Sequence, residues 1–143
     1  MSLSDPMRKM SKSDSKGDIF LKDDLTTIRK KIMASVTDSG SEVIYDLDNK
    51  PGISNLLTIY AATKDISIAE AEKYFSGYRY GDFKKAVADA VIEELSPFKE
   101  RYEQIIQGDE IEKVLKDGAS RARIIAEATL KRVKNAIGLL DVK

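Results

Sequence analysis

Within five consecutive residues near the start of the chain, Lys9-Met10-Ser11-Lys12-Ser13, lie two ammonium groups and two hydroxyls, with Asp14 following. Residues 1–22 are rich in Ser, Asp and Lys and show neither a period of 2 nor one of 3.6. They are expected to form a loop or arm whose order depends on a partner, not a core element. Such a loop can wrap a polyphosphate. Lysines act as compact mobile point charges, and hydroxyls and backbone N–H groups donate to phosphate oxygens where negative charge grows as pyrophosphate leaves. The same composition also suits a solvated, disordered basic tail, so the motif alone leaves both readings open.

Most other chemistry is excluded by residue type. The 143 residues include no cysteine and no histidine, which removes thiolate nucleophiles, disulfides, Cys-rich zinc sites and imidazole-based triads; no metal site is expected. Lysine and arginine together number 24 and so do the acids, so the whole molecule offers no long-range attraction to a polyanion. The asymmetry is local: Arg121, Arg123, Lys131, Arg132 and Lys134 stand against the single acid Glu127 between Ala119 and Leu140. This cationic end is a candidate contact for a nucleic-acid backbone. It is equally a solvated helix face, with Arg123, Glu127 and Lys131 spaced for an i, i+4 ladder. No apolar run approaches the ~20 residues of a membrane span and the start does not resemble a signal peptide, so the chain is expected to be cytoplasmic.

The elements that would position these groups are helical. Leu25, Ile28, Ile32 and Val36 predict a helix over 23–37 behind Asp23 and Asp24. Residues 42–46 are the one place for a short extended piece, and Asn49-Lys50-Pro51-Gly52 reads as a turn. A second, central helix is predicted over 52–63, and a third opens with a capping box at Ser67 and Glu70 and ends at Gly77. Phe83, Val87, Val91, Leu95, Phe98, Tyr102 and Ile105 predict a long helix with a kink or break near Ser96, because Pro97 removes a hydrogen bond. The last helix starts at Asp109, with Glu112 three residues on, and is expected to bury Ile111, Leu115, Ala119, Ala122, Ala126, Leu130, Val133 and Ile137. The fold class is all-α: a bundle of about five helices with an N-terminal arm and no parallel sheet.

The lysine loop matches the KMSKS signature of class I aminoacyl-tRNA synthetases without a substitution. The chain resembles the tryptophanyl-tRNA synthetases in particular. Thr37-Asp38-Ser39, Lys50-Pro51-Gly52-Ile53-Ser54-Asn55-Leu56-Leu57, Tyr80-Gly81-Asp82-Phe83-Lys84, Leu95-Ser96-Pro97 and Glu100-Arg101-Tyr102 follow in the order of that family and carry the resemblance along nearly the whole chain.

The resemblance implies an enzyme that joins tryptophan to ATP, with Mg2+, and transfers the acyl group to the tRNA for tryptophan. It implies Lys9 and Lys12 as catalytic cations toward the ATP phosphates, Ser11 and Ser13 as polar support, and Met10 as a packing anchor within the same ATP-binding loop. Arg121, Arg123, Lys131 and Lys134 become candidate tRNA contacts. Residues 1–22 are expected to belong with a catalytic domain and 23–143 to form the helical tRNA-binding domain. The family's histidine signature and nucleotide-binding sheet are absent, which places the tryptophan pocket outside this chain and predicts that it is inactive alone. Met1 is then expected to be an artificial start or an internal methionine of a longer, homodimeric protein. The alternative is a helical RNA-binding or interaction module derived from a synthetase.

Overall fold

Pro51 opens the most buried helix of the molecule, because a missing N–H costs nothing in a first turn. In the computed structural model, which describes residues 1–139, this helix α2 runs Pro51–Lys64, after α1 at Leu25–Met33 and before α3 at Ile68–Tyr74, α4 at Tyr80–Gln107 and α5 at Glu110–Ala136. All five elements are helices, as the periodicity predicted. No strand occurs among the described residues, and the 42–46 segment is irregular, with Val43 turned into the core.

The chain divides into two compact units, Met1–Lys99 and Glu100–Lys143, the second described to residue 139. In the first, α2 is buried continuously from Gly52 to Leu57. Ile28 and Ile32 of α1, Ala71 of α3, Phe75 just beyond it, and Phe83, Val87 and Val91 of α4 close around α2. The Phe75 ring meets Tyr60 at 4.6 Å and Phe83 at 4.7 Å, both edge to face, an arrangement the ring quadrupoles favour.

Three predicted boundaries move, each for a visible reason. Helix α1 stops at Met33 instead of running to 37, because the Val36 N–H donates to the Leu3 carbonyl at 2.8 Å and is lost to the helix ladder. The Ser67–Glu70 capping box forms, with Glu70 N–H donating to Ser67 Oγ at 3.2 Å and Ser67 N–H to Glu70 Oε2 at 2.9 Å. Its helix nevertheless ends at Tyr74, and Gly77, at φ +83°, belongs to the following turn. Helix α4 continues through Pro97 without a break, and the unit boundary falls just beyond, after Lys99. Its apolar stripe is buried only as far as Val91; Leu95 packs at the edge of the core, while Phe98 and Tyr102 are exposed.

The arm is also a correction. Leu3 is 2% exposed and Ser2 is buried beside it, while Ile19 packs against the core. Asn55 Nδ2 donates to the carbonyls of Met1 and Ser2 at 3.2 and 3.4 Å. An aperiodic sequence gave no sign of this because the packing depends on backbone hydrogen bonds and one leucine.

The second unit departs further from expectation. No residue of α5 is buried: Leu115, Leu130, Val133 and Ile137 all stand exposed, since nothing within that unit covers their stripe. Asp109 makes no side-chain cap; it pairs with Lys113 at 2.8 Å, and Glu112 pairs with Lys116 at 3.1 Å instead of reaching back.

Two glycines separate close packing from open space. A methyl on Gly52 would lie 2.1 Å from the Val36 carbonyl oxygen and 3.1 Å from Thr37 Cα, whereas one on Gly118 of α5 meets nothing within 4 Å. Gly52→Ala is therefore expected to destabilise the chain by about 1–3 kcal/mol through overpacking. Gly118→Ala is expected to stabilise its helix by about 0.5–1 kcal/mol. Urea unfolding followed by circular dichroism distinguishes them; an unchanged midpoint for Gly52→Ala would mean that the Val36 loop yields without cost.

Candidate functional site

The lysine loop leaves the core and returns to it through paired backbone. Arg8 accepts at its carbonyl from Ser2 N–H at 2.8 Å, and Gly17 accepts at its carbonyl from Leu3 N–H at 2.8 Å. Between these legs Asp14 N–H donates to the Ser11 carbonyl at 2.9 Å, which turns the chain, and the Ser11 and Ser13 hydroxyls bond to one another at 2.9 Å. Lys9, Lys12, Ser11 and Ser13 are exposed, and Met10 between them packs against the core. The loop rims a cleft of about 140 Å³ lined by Ser2, Asp5, Arg8, Lys9, Ser11, Ser13 and Asp14. Lys9 thus lines a small recess walled mostly by polar residues, and Lys12 is exposed without lining it.

A second assembly joins three segments that are distant in sequence. Tyr80, at the start of α4, donates its hydroxyl to Asp38 Oδ1 at 2.8 Å, and Lys50 Nζ donates to the Tyr80 oxygen at 2.9 Å and to Asp38 Oδ1 at 3.3 Å. Gly40 N–H adds a bond to the same carboxylate oxygen at 2.7 Å. Burial pulls the Asp38 carboxyl upward, but the Tyr80 hydroxyl, the Gly40 N–H and the Lys50 ammonium outweigh it and hold the group below the ordinary carboxylate range. The Tyr80 hydrogen bond and the Asp38 charge hold the Lys50 ammonium above its ordinary value against partial burial. Lys84, one turn further along α4, donates to the Ser35 carbonyl at 2.7 Å, and burial pushes its ammonium downward.

This network forms one wall of a cleft of about 660 Å³ lined by residues 40–44 and 76–80. Of the aromatic residues near this cleft, Phe83 is fully buried and Tyr80 is held by its hydroxyl, so both are packing residues; Tyr78 remains 38% exposed on the cleft beside Arg79. The turn expected over 49–52 closes earlier, at 47–49, with Lys50 N–H donating to the Asp46 carbonyl at 2.9 Å, and Pro51 and Gly52 are already the first residues of α2. Lys50 itself is a member of a three-segment cluster that linear reading did not assemble. The available signal was that each of three resemblance blocks contributes one polar side chain. Ser54 and Asn55 do not cap α2: Ser54 Oγ accepts from Asp46 N–H at 2.8 Å, and Asn55 holds the arm.

The cationic end divides. At 100° per residue, Arg121 and Arg132 fall on one flank of the α5 apolar stripe and Arg123 and Lys134 on the other, roughly 160–220° away, with Lys131 roughly 60–80° beyond them. Of the four candidate contacts, Arg123, Lys134 and Lys131 therefore share an arc of roughly 80°, and Arg121 lies roughly 80° beyond Lys131. Arg121 is paired with Asp117 at 2.9 Å, Arg123 and Lys131 are exposed, and Lys134 is half-buried. Among the described residues the i, i+4 ion pairs along α5 and its N-cap are Asp109–Lys113, Glu112–Lys116 and Asp117–Arg121, Glu110 pairs with Arg101 at 2.9 Å, and the expected Arg123–Glu127–Lys131 ladder is not among them.

Residues 1–96 match the family described as tRNA synthetases class I (W and Y). The chain is 50% identical over 141 residues to the tryptophan–tRNA ligase of Oceanobacillus iheyensis, across 97% of its own length and 43% of that enzyme's. It is 48% identical to the tryptophan–tRNA ligase of Halalkalibacterium halodurans over the same shares. Among solved structures it is similar to the crystal structure of tryptophanyl-tRNA synthetase from Mycoplasma pneumoniae, with a TM-score of 0.68 and 31% identity, covering 99% of this chain and 45% of that one. The chain thus spans less than half the length of these relatives.

The Asp38–Lys50–Tyr80 cluster has a calculable pH window. Asp38, held low, contributes stability present above its unfolded value of about 3.9 and lost as pH falls through its lower folded value; Lys50, held high, contributes until pH rises past about 10. Tyr80→Phe is expected to lower stability by about 1 kcal/mol between pH 5 and 9. The difference from wild type should shrink below about pH 4, as Asp38 protonates. Denaturation curves of the two proteins at pH 3, 5, 7 and 9 check this, and a pH-independent difference would remove Asp38 from the interaction.

Proposed function

The chain belongs to the class I tRNA synthetases of the W and Y family, and on that premise we propose that it works within a tryptophan–tRNA ligase. Residues 1–22 serve ATP there, and residues 23–143 serve the tRNA. Near-half identity to tryptophan–tRNA ligases over almost the whole chain supports tryptophan as the amino acid. The observation that carries the reading is geometric. Lys9 and Lys12 stand exposed on a loop whose legs are bonded to the buried Ser2 and Leu3 backbone, so their heads are free while their origin is fixed.

In this reading the tryptophan carboxylate attacks the α-phosphorus of ATP, the bond to the bridging oxygen breaks, and pyrophosphate leaves with the charge. Lys9 and Lys12 meet that growing charge, and the Ser11 and Ser13 hydroxyls exchange their mutual bond for phosphate oxygens. Among the described residues no group of three or more acidic, cysteine or histidine side chains is placed to hold a metal. Mg2+ in such a reaction is held chiefly by the nucleotide's own phosphates with at most one or two carboxylates, and in this reading the ion comes with the nucleotide and neutralises phosphate charge. The tryptophan pocket and the contacts of a homodimer fall to the part of the enzyme that this chain does not span. The enzyme of this reading works in the cytoplasm, where it meets its tRNA and ATP; among the described residues no helix is long and apolar enough to cross a membrane.

An ammonium that strengthens its interaction only as pyrophosphate departs raises kcat rather than ATP affinity. Lys12→Ala in the full-length enzyme is expected to slow tryptophanyl-adenylate formation by about 10² to 10³, as removal of other preorganised charge partners does. Transfer of preformed adenylate to tRNA should be unchanged. Single-turnover measurement of both steps is the test, and a defect confined to ATP affinity would leave Lys12 as a ground-state ligand only.

The tRNA assignment rests on Arg123 and Lys131, which are exposed. Their joint replacement by alanine is expected to flatten the salt dependence of tRNA binding by roughly 0.7 to 0.9 per lost phosphate contact. An unaltered slope in a filter-binding series would return both residues to a solvated face.

A further inference from the structure

Asp14 closes the lysine loop and has no part in the phosphate chemistry described above. Its Oδ2 accepts from the Ser4 hydroxyl at 2.8 Å and from the Ser2 hydroxyl at 3.5 Å. Its Oδ1 accepts from the Lys16 and Gly17 N–H groups, both at 3.2 Å, and its carbonyl accepts again from Gly17 N–H at 3.2 Å. One carboxylate therefore ties the end of the loop to the segment that precedes it and to the turn that follows it. Space at this junction is fully used: a methyl on Gly17 would lie 2.1 Å from Ser2 Oγ and 2.4 Å from Asp14 Oδ2. Ser2 itself is 2% exposed, next to the buried Leu3. The Ser4 hydrogen bond is the chief cause holding the Asp14 carboxyl below its ordinary range, so the ionised acceptor is the form present at neutral pH.

We propose that Asp14 is a positioning residue for adenylate formation: it fixes the span from Lys9 to Ser13 against the Ser2 and Ser4 hydroxyls, on either side of the buried Leu3, and so sets where the two ammonium groups arrive. The inference rests on the function proposed above. The physical reasoning is that a cation displaced by about 1 Å from a developing charge forfeits much of its effect on the rate, on the order of 10²-fold in severe cases. Lys9 and Lys12 are exposed and so carry no packing contact that would hold them in place. Met10 supplies one fixed point and the Arg8 carbonyl another, both on the entering side of the loop. On the returning side, between Ser11 and Gly17, the fixed point is the Asp14 carboxylate. The role needs an acceptor for two N–H groups and a partner for a hydroxyl, not a negative charge. An asparagine provides both, since the Ser2 and Ser4 hydroxyls bond one another with either able to donate, and Ser4 can turn to accept from an amide.

The test compares Asp14→Ala, Asp14→Asn, Ser4→Ala and the Asp14→Ala/Ser4→Ala double variant in the full-length enzyme, with wild type and Lys12→Ala as references. For Asp14→Ala a fall of about 10-fold or more in the single-turnover rate of adenylate formation is expected, with the KM for ATP within about 2-fold and acyl transfer to tRNA unchanged. Asp14→Asn should return to within about 3-fold of wild type, and the double variant should be no worse than Asp14→Ala, because both changes cut the same tie. A second readout is amide hydrogen exchange. The Lys16 and Gly17 amides should exchange faster in Asp14→Ala and recover in Asp14→Asn, while the Ser54 amide of α2 keeps its protection. Wild-type rates in Asp14→Ala, an equal loss in Asp14→Asn, or additive losses in the double variant would each overturn the proposal. If wild type itself forms no tryptophanyl-adenylate, the function proposed above fails; if wild type is active, Lys12→Ala slow and Asp14→Ala normal, only this inference does.

Discussion

Leu3 is bonded on both sides of its peptide: its N–H donates to the Gly17 carbonyl and its carbonyl accepts from the Val36 N–H, each at 2.8 Å, with the side chain 2% exposed between them. Buried backbone groups must be paired, and these two partners satisfy the residue completely. Each bond has a consequence elsewhere. The bond to Gly17 fixes the point at which the lysine loop returns. The bond from Val36 removes an N–H that would otherwise extend α1, and it presses the Val36 carbonyl against the start of α2, where only a glycine leaves room. The loop, the end of one helix and the beginning of the next are set by one leucine.

The charged cluster at Asp38, Lys50 and Tyr80 works on a different scale. An ion pair whose side chains are only about one-fifth exposed gains little by itself, because the cost of taking two charges out of water offsets much of their attraction. Here the tyrosine hydroxyl stands between the charges, accepting from Lys50 and donating to Asp38, so the geometry is over-determined by three segments at once. Its effect lies less in total stability than in holding residues 38–42 to the first turn of α4. That contact shapes the wall of the neighbouring cleft, where Tyr78 and Arg79 present a ring and a guanidinium of the kind on which unpaired bases stack.

How far the sequence revealed this depended on whether a feature was local. The Ser67–Glu70 box, the Pro51 start and the buried face of α2 were legible, because capping and periodicity operate within one turn of chain. The end of α1 was not, since it is decided by Leu3, more than thirty residues away. The stripe on α5 was read as buried because periodicity reports which side of a helix is apolar, not whether anything lies against it. The lysine loop was legible as chemistry from residue types alone, whereas its anchoring was not: Ser2, Ser4 and Asp14 form no pattern until the chain is folded. The four basic residues of α5 looked alike in a linear count, whereas on the helix Arg123, Lys131 and Lys134 share one arc and Arg121 stands apart, paired with Asp117.

Lys84, set against Lys9 and Lys12 in the same unit, shows what anchoring must achieve. Lys84 is partly buried and hydrogen-bonded to the Ser35 carbonyl, and its ammonium is pushed down by that burial. A lysine held that firmly ties α4 to the loop after α1, but it cannot travel to a ligand, and desolvation has already weakened its charged form. A cation that is to meet growing phosphate charge needs the opposite arrangement: water around the head group until the ligand is present, and fixed backbone beneath it. Lys9 and Lys12 have that arrangement, being exposed on either side of the packed Met10, between legs bonded to buried residues. The ordering is thus done by backbone and a methionine, groups with no charge to desolvate, and the lysines keep their hydration for exchange against phosphate oxygens.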